Sequence, residues 1–377
     1  MAQRVFVGLS GGVDSSTTAA LLKERGYDVT GVFIRIWRPE FLECTWKEDQ
    51  LDAMRVAAFL GIPFREVDLS AEYERDVVQT MIRDYQAGIT PNPDVLCNET
   101  VKFGAFLTWA LEHGAERIAT GHYARVAETA DGHRLLRGLD ETKDQSYFLY
   151  RLGQEELAHT LFPIGEFRKE DVRRMATHYE LPVAQKPDSQ GLCFVGDVSI
   201  PEFLQRFITV TSGDVLDTTG NRIGRHDGAA FYTVGQRHGF TVEGSRANVP
   251  QYVVRVDVQA NTLTVSPDKA DTLSHTTRIE APHWIGKASE NGARLVAHVR
   301  YHAPDAEATL SYDGNAAVLA FDAPQVVSPG QAVVLYEDDI CLGGGPASGR
   351  TAAEIFKERS DYENPSAVGE AEPPSCS

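Results

Sequence analysis

Val5-Phe6-Val7-Gly8-Leu9-Ser10-Gly11-Gly12-Val13-Asp14-Ser15-Ser16 joins an apolar run to a glycine turn and then to a helix-forming stretch, Thr17 to Arg25. The order reads as strand, tight turn and helix N-terminus. Backbone N–H groups and the helix dipole at such a junction favour a bound anion. A Walker-type loop would need a lysine after its last glycine, and a dinucleotide loop would need G-x-G-x-x-G; this stretch supplies neither. What remains is a serine- and glycine-lined nest suited to a compact anion such as pyrophosphate. Serine and aspartate also start helices for purely structural reasons. Nucleotide chemistry is the leading reading, with a structural helix cap beside it.

Outward from this loop, the first half of the chain alternates strand and helix signals. Tyr27 to Ile36, Phe64 to Asp68 and Arg117 to Thr120 read as strands, the last meeting Gly121-His122-Tyr123. Asp49 to Leu60 has helical spacing, with Leu51, Met54, Ala58 and Phe59 as the expected buried stripe, and helical patterns cover Ala71 to Ala87 and Lys102 to His113. Strands separated by helices of this length predict an α/β unit with a mostly parallel sheet covered on both faces. Ligands in such folds sit beyond the carboxyl ends of the strands, where the Ser10 loop and Gly121-His122 would both lie.

From about residue 209 the pattern turns to short strands between turn signals, Thr209 to Asp214, Asp217 to Gly220 and Asp227-Gly228 among them. Gln251 to Asp257 and Thr262 to Ser266 alternate as strands do. Leu295 to Tyr301, Glu307 to Tyr312, Ala316 to Phe321 and Ala332 to Tyr336 read as further strands. The expected organisation is a catalytic domain over 1–208, a small β-rich central domain over 209–273, a C-terminal β-barrel over 274–356 and a mobile tail over 357–377.

The chain has 377 residues, 36 Lys plus Arg against 54 Asp plus Glu, and a net charge of −18. That balance argues against a generally basic nucleic-acid binder, although a local basic groove can still hold phosphates. No leader pattern and no membrane-length apolar segment are apparent, so a soluble cytoplasmic protein without a membrane partner is expected, as a monomer. Five cysteines, at 44, 97, 193, 341 and 376, form no CxxC pair, so neither a disulfide scaffold nor a protein-held metal centre is expected.

Two cysteines stand in loop-like contexts. Cys97 follows Asn92-Pro93-Asp94-Val95-Leu96 just before a helical pattern, where a thiol tends toward a lowered pKa. Cys193 lies within Asp188-Ser189-Gln190-Gly191-Leu192-Cys193-Phe194. Thiol–disulfide exchange between them becomes possible if both loops lie at one sheet edge; burial as a small hydrophobe is the alternative for each. Asp94 can accept a proton from a substrate or close an Asx turn beside Pro93. Lys143-Asp144-Gln145-Ser146 and Arg300-Tyr301 carry residue types that phosphate contact and base stacking use, and equally ordinary surface and core residue types. Phe231 to Arg237 reads as a short strand entering a glycine turn.

The stretches Gly8 to Ser16, Thr90 to Asn98, Ala119 to Arg125, Lys143 to Leu149, Gly191 to Gly196, Tyr232 to Arg237 and Cys341 to Gly345 together resemble the bacterial tRNA-specific 2-thiouridylase family, in family order across about residues 4 to 346. The resemblance implies an ATP-pyrophosphatase domain of Rossmann-like α/β type, a small central domain and a C-terminal β-barrel. It implies a tRNA-uridine 2-sulfurtransferase that replaces the C2 oxygen of wobble uridine 34 by sulfur in the tRNAs for lysine, glutamate and glutamine. By that likeness Gly8, Leu9, Ser10, Gly11, Gly12, Val13, Asp14 and Ser15 would hold ATP, with Ile34 and Gly121 near the adenosine and Mg²⁺ expected on the phosphates. Asn92, Pro93 and Asp94 would meet the target base, Asp94 assisting proton transfer. His122, Lys143, Asp144, Gln145, Arg300, Tyr301 and Gln331 would contact or position tRNA. Cys193 would carry sulfur as a persulfide, delivered by a cysteine desulfurase or sulfur-relay protein, and Cys97 would be its disulfide partner. The sequence departs from the family pattern at Ile34, where methionine is usual, at His302, where glutamine is frequent, and at Gln190, where threonine is common.

Overall fold

The computed structural model describes residues 2–39, 46–188, 200–209, 211–244 and 248–348. Cys44, Gln190, Cys193, Cys376 and the expected tail lie outside the described residues.

Alternation of short apolar runs with helices builds the first sheet. Its strands are β1 (Arg4–Gly8), β2 (Asp28–Arg35), β3 (Phe64–Asp68) and β4 (Arg117–Ala119). Two strands of another sheet, β5 (Ala124–Thr129) and β6 (Gly132–Arg137), intervene before its fifth, β7 (Thr160–Leu161). The order is β3-β2-β1-β4-β7, with every pair parallel. A parallel sheet of this kind is covered on both faces, and successive residues of its central strand point to opposite sides. Val5 and Val7 therefore pack under helices α1 (Val13–Glu24) and α2 (Trp46–Leu60), while Phe6 joins Tyr73, Val77, Met81, Phe103 and Phe106 on the other face.

Helix α2 corrects one expectation from apolar spacing. The inward arc is Ala53, Val56, Ala57 and Leu60, and the predicted stripe residues Leu51, Met54 and Phe59 are 46%, 46% and 50% exposed, with Ala58 exposed beside them. Both arcs are apolar, so bulk alone does not choose between them. Asp49 and Asp52, on the same side as Ala53 and Val56, are bound by Lys186 at 2.9 and 2.7 Å, and Lys186 also reaches the Gly11 carbonyl, which holds that side against the glycine turn after β1.

A second correction concerns Cys97. Helical structure runs over 93–112 instead of starting at Lys102, with a wide π-type register over Cys97–Ala105. Asn92 is the N-cap and accepts the Val95 N–H at 3.2 Å, and Pro93 occupies the first helical turn where its missing N–H costs nothing.

The central β-rich part has strands β8 (Gly213–Leu216), β9 (Arg222–His226), β10 (Phe240–Val242), β11 (Tyr252–Asp257) and β12 (Thr262–Ser266), in the order β10-β9-β8-β12-β11. Of the short strand and glycine turn expected over Phe231 to Arg237, only the turn is present: Phe231 ends a 3₁₀ turn, Gly235 has φ +88°, and the segment there exchanges hydrogen bonds with Val253.

The third sheet comprises β13 (Leu273–Ile279), β14 (His283–Trp284), β15 (Arg294–His298), β16 (Ala306–Asp313), β17 (Ala316–Val326), β18 (Ala332–Glu337) and β19 (Ile340–Pro346). Strands β13-β17-β16-β15-β18-β19 run antiparallel, and an Ile279–Ala347 bridge with the Ser348 N–H on the Arg278 carbonyl at 2.8 Å brings the end of β19 back to β13. Closure removes the open edges of the sheet. The hairpin β5–β6, which no sequence pattern singled out, adds to this sheet through β6 on β19. The N-terminal half of the chain thus shares a sheet with the C-terminal half.

Candidate active site

Where β1 ends, Gly8, Leu9, Ser10, Gly11 and Gly12 turn the chain into α1. Gly11 has φ +74°, and a Cβ there would run into the Asp49 carbonyl at the start of α2. The Ser10 N–H reaches Ser15 Oγ at 3.2 Å, the two hydroxyls lie 3.1 Å apart, and Ser16 Oγ donates to the Gly12 carbonyl at 2.7 Å. Gly12 is the N-cap, so no side chain caps the first amides of the helix. Gly121, just past β4, lies so close that a Cβ would be 2.8 Å from the Ser15 N. Ile34 of β2 borders Gly8, its Cδ1 3.7 Å from where a Cβ would stand. Gly8 to Ser15, Ile34 and Gly121 therefore converge on one nest beyond the carboxyl ends of β1, β2 and β4.

Three of the cations around the nest, Lys169, Arg173 and Lys186, come from residues that no local motif marked. Lys169 Nζ lies 2.7 and 2.8 Å from the two Asp14 carboxylate oxygens and 2.9 Å from Asp188. Tyr123 donates to Asp14 at 2.9 Å, and burial followed by the Asp14 charge holds its phenol well above the usual range. Arg173 and Lys143 reach Asp188 at 2.6 and 3.5 Å. Burial raises the Asp188 pKa, but Lys169, Arg173 and Lys143 outweigh it and the net shift is downward. Lys186 donates to the Gly11 carbonyl at 3.1 Å as well as to Asp49 and Asp52. Two lysines from more than 150 residues downstream thus flank a loop that has none of its own.

Asn92, Pro93 and Asp94 form the first turn of the 93–112 helix, and Cys97 follows Asp94 at i+3, on the same side. Cys97 is 2% exposed. Burial raises the Asp94 pKa and the Lys102 charge opposes the rise. Across from them, Tyr301 of the C-terminal sheet packs on Phe148 with ring centroids 4.3 Å apart, and its phenol is pushed up to about 12 by burial and then by the Asp144 and Asp94 charges. His122 is 8% exposed, wedged between Phe103 and Phe162, with Nδ1 2.7 Å from Thr120 Oγ1; burial, then the Lys102 charge, hold its imidazole neutral.

The remaining candidates divide between scaffold and surface. Asp144 accepts from the Gly138 and Ser146 N–H groups and the Ser146 hydroxyl at 2.8–3.0 Å, and Gln145 grips the Tyr123 backbone from both sides. These two order the Gly121–Tyr123 turn beside the nest. Lys143 and Arg300 are solvent-accessible cations, and Gln331 lies in the turn between β17 and β18 that packs on Ile89 and Thr90. Among the described residues no cluster of three or more His, Cys, Asp or Glu side chains could hold a metal ion. No helix among them is long and apolar enough to cross a membrane.

Family models match three consecutive parts of the chain: a tRNA methyl transferase HUP domain over residues 3–197, a tRNA methyl transferase PRC-barrel domain over 201–267 and an aminomethyltransferase beta-barrel domain over 274–347. The chain is 45% identical over 360 residues to a tRNA-specific 2-thiouridylase MnmA of Paracidovorax citrulli, covering 91% of this chain and 95% of that protein. It is 47% identical over 350 residues to a protein of the same description from Stenotrophomonas maltophilia, covering 90% and 92%. A third, from Ralstonia pickettii, is 45% identical over 364 residues, covering 94% and 98%.

Proposed function

Because the chain belongs to the tRNA-specific 2-thiouridylase family, we propose that it is an ATP-dependent tRNA-uridine 2-sulfurtransferase acting on wobble uridine 34 of the tRNAs for lysine, glutamate and glutamine. The observation that carries the reading is the pairing of an anion nest at Gly8–Ser15 with Asp94 and a thiol at Cys97. A uridine carbonyl is a poor electrophile and its oxygen a poor leaving group, so exchange needs activation.

In the proposed reaction the C2 oxygen attacks the α-phosphorus of ATP, pyrophosphate leaves and the base is adenylated. The Ser10–Ser15 amides and hydroxyls, with Lys169 and Lys186 beside them, are suited to charge building on pyrophosphate, the kind of preorganised stabilisation that dominates such steps. Mg²⁺ would screen the phosphates, held mainly by phosphate oxygens and water, with Asp14 as a candidate carboxylate ligand. The Asp94 carboxylate, its pKa raised by burial, takes the uridine N3 proton. Tyr301 and Phe148 offer an aromatic wall for an unstacked base.

Sulfur then arrives as a persulfide on Cys193, charged by a cysteine desulfurase or sulfur-relay protein. The terminal sulfur attacks C2 and AMP leaves. Cys97 attacks Cys193 Sγ and releases the thiocarbonyl, or frees hydrosulfide before the attack; either route leaves a Cys97–Cys193 disulfide that a dithiol reductant reopens. Incubation with ATP, a persulfide donor and unmodified tRNA, followed by nucleoside mass spectrometry, tests the reading. The expected product has sulfur in place of one uridine oxygen at the wobble position. No product, or the mass of an added methyl group, would refute it.

A further inference from the structure

Thr90 stands two residues before Asn92, and three parts of the chain meet on it. Its N–H donates to the Pro329 carbonyl at 3.0 Å, in the turn before β18. Its hydroxyl lies 3.2 Å from the Thr233 hydroxyl of the central part. Ser328 Oγ, one residue before Pro329, donates to the Val234 carbonyl at 3.2 Å, which ties the two partners of Thr90 to each other. Next to Thr90, Gly88 faces Val258 so closely that a Cβ would come within 2.8 Å of its Cγ2. Gly330 has φ +84°, and a Cβ there would collide with Ile89 Cγ2 and stand 2.9 Å from the Thr90 N.

These contacts are short, polar and mutually supporting, and they converge at the stem of the turn that presents Asn92, Pro93 and Asp94. A helix start with Asn as N-cap and Pro in its first turn fixes its own local conformation. It does not fix where that turn stands relative to Tyr301 and Gln331, which lie in loops joining strands of another sheet. Thr90 is the last residue before the turn with bonds to both other parts of the chain.

We propose that Thr90, Thr233 and Gly330 are positioning residues for thiolation: they hold the Asn92–Asp94 turn at the distance from the C-terminal sheet that the target base requires. The inference rests on the thiolation reading. None of the three touches the reacting atoms; their effect passes through Asp94. Their loss should therefore slow the chemical step at saturating tRNA and leave tRNA affinity nearly intact.

The test is a double-mutant cycle on the full chain, Thr90→Val and Thr233→Val, read by single-turnover formation of 2-thiouridine with saturating ATP and tRNA and by tRNA Kd. Valine keeps the shape and removes the hydroxyl. Each single variant is expected to slow the step about five- to tenfold with Kd within about twofold, and the double variant to be at most about twofold slower than the worse single. Thr90→Ser restores the hydroxyl and is expected to recover most of the rate. Gly330→Ala should give the largest loss, and unfolding melts separate that loss from failure to fold. Single valine variants within about twofold of the unsubstituted chain, fully additive losses, or a loss confined to Kd would overturn the inference while thiolation by the unsubstituted chain stands. Absence of product from the unsubstituted chain overturns the functional reading and this inference together.

Discussion

The Gly8–Ser15 nest and the proposed base site around Asn92–Cys97 are built by different rules. The nest is nearly contiguous, Gly8 to Ser15 at the end of the central strand, and its hydroxyls bond within the loop. The proposed base site joins Asn92 to Cys97 from the first half of the chain to Tyr301 from the loop between β15 and β16, with only tertiary contacts between them. A contiguous site depends on backbone geometry that three glycines supply. An assembled site depends on how sheets dock, so it can be disturbed from far away.

If the two halves are separable in chemistry as in construction, Cys97→Ser should break one and spare the other. Thiolation is expected to fall at least about a hundredfold, while tRNA-dependent pyrophosphate release continues; loss of both would join the halves. Asp94→Asn is expected to lower thiolation by about 10²–10⁴ and to raise the melting temperature at neutral pH. The sign follows from burial, which raises the folded pKa above the ordinary 3.8. The unfolded chain then ionises first, stability falls as pH rises from 3.8 to the raised folded value, and the amide removes that penalty. A lower melting temperature for the amide variant at neutral pH would assign Asp94 a stabilising role instead.

On the side of the nest, Lys169→Met removes one cation and leaves Asp14 without its ion-pair partner, while Asp188 keeps Arg173 and Lys143. Pyrophosphate release is expected to slow about tenfold or more, with a rise in KM for ATP; unchanged ATP kinetics would leave Lys169 a structural tether between Asp14 and Asp188. The smallest effect concerns α2. Met54→Gln, on its exposed arc, is expected to change stability by no more than about 0.5 kcal/mol, and Val56→Ala, on the buried arc, to cost about 1–3 kcal/mol. Thermal or urea melts of the pair compare the two faces directly.

The same division governs what could be read in the chain beforehand. The β1 strand, the glycine turn and α1 are legible because each is set within a few residues by side-chain period, positive φ and helix-start chemistry. The strand at 262–266 follows from alternation, and that at 332–337 from a short continuous apolar run between turns. The start of the 93–112 helix was also within reach, since Asn92-Pro93-Asp94 is a cap followed by a first-turn proline. The inward arc of α2 was not, because two neighbouring arcs are apolar and the choice rests on Lys186, more than 120 residues away. Nor was the β5–β6 hairpin, whose partner strand β19 lies 200 residues on.

By itself the sequence determined the class of the fold, the family and the glycine turn that forms the nest, since these depend on local backbone geometry and on motifs kept in order along the chain. Tertiary structure alone decided that Lys169 and Lys186 flank a loop that has no lysine of its own. It also decided that Tyr301 faces the helix start at Asn92, and that Thr90 is pinned between two other parts of the chain. The physical reason is range: hydrogen bonds and periodicity act over a few residues, whereas charge and packing act between whichever surfaces docking brings together, and no local pattern records that choice.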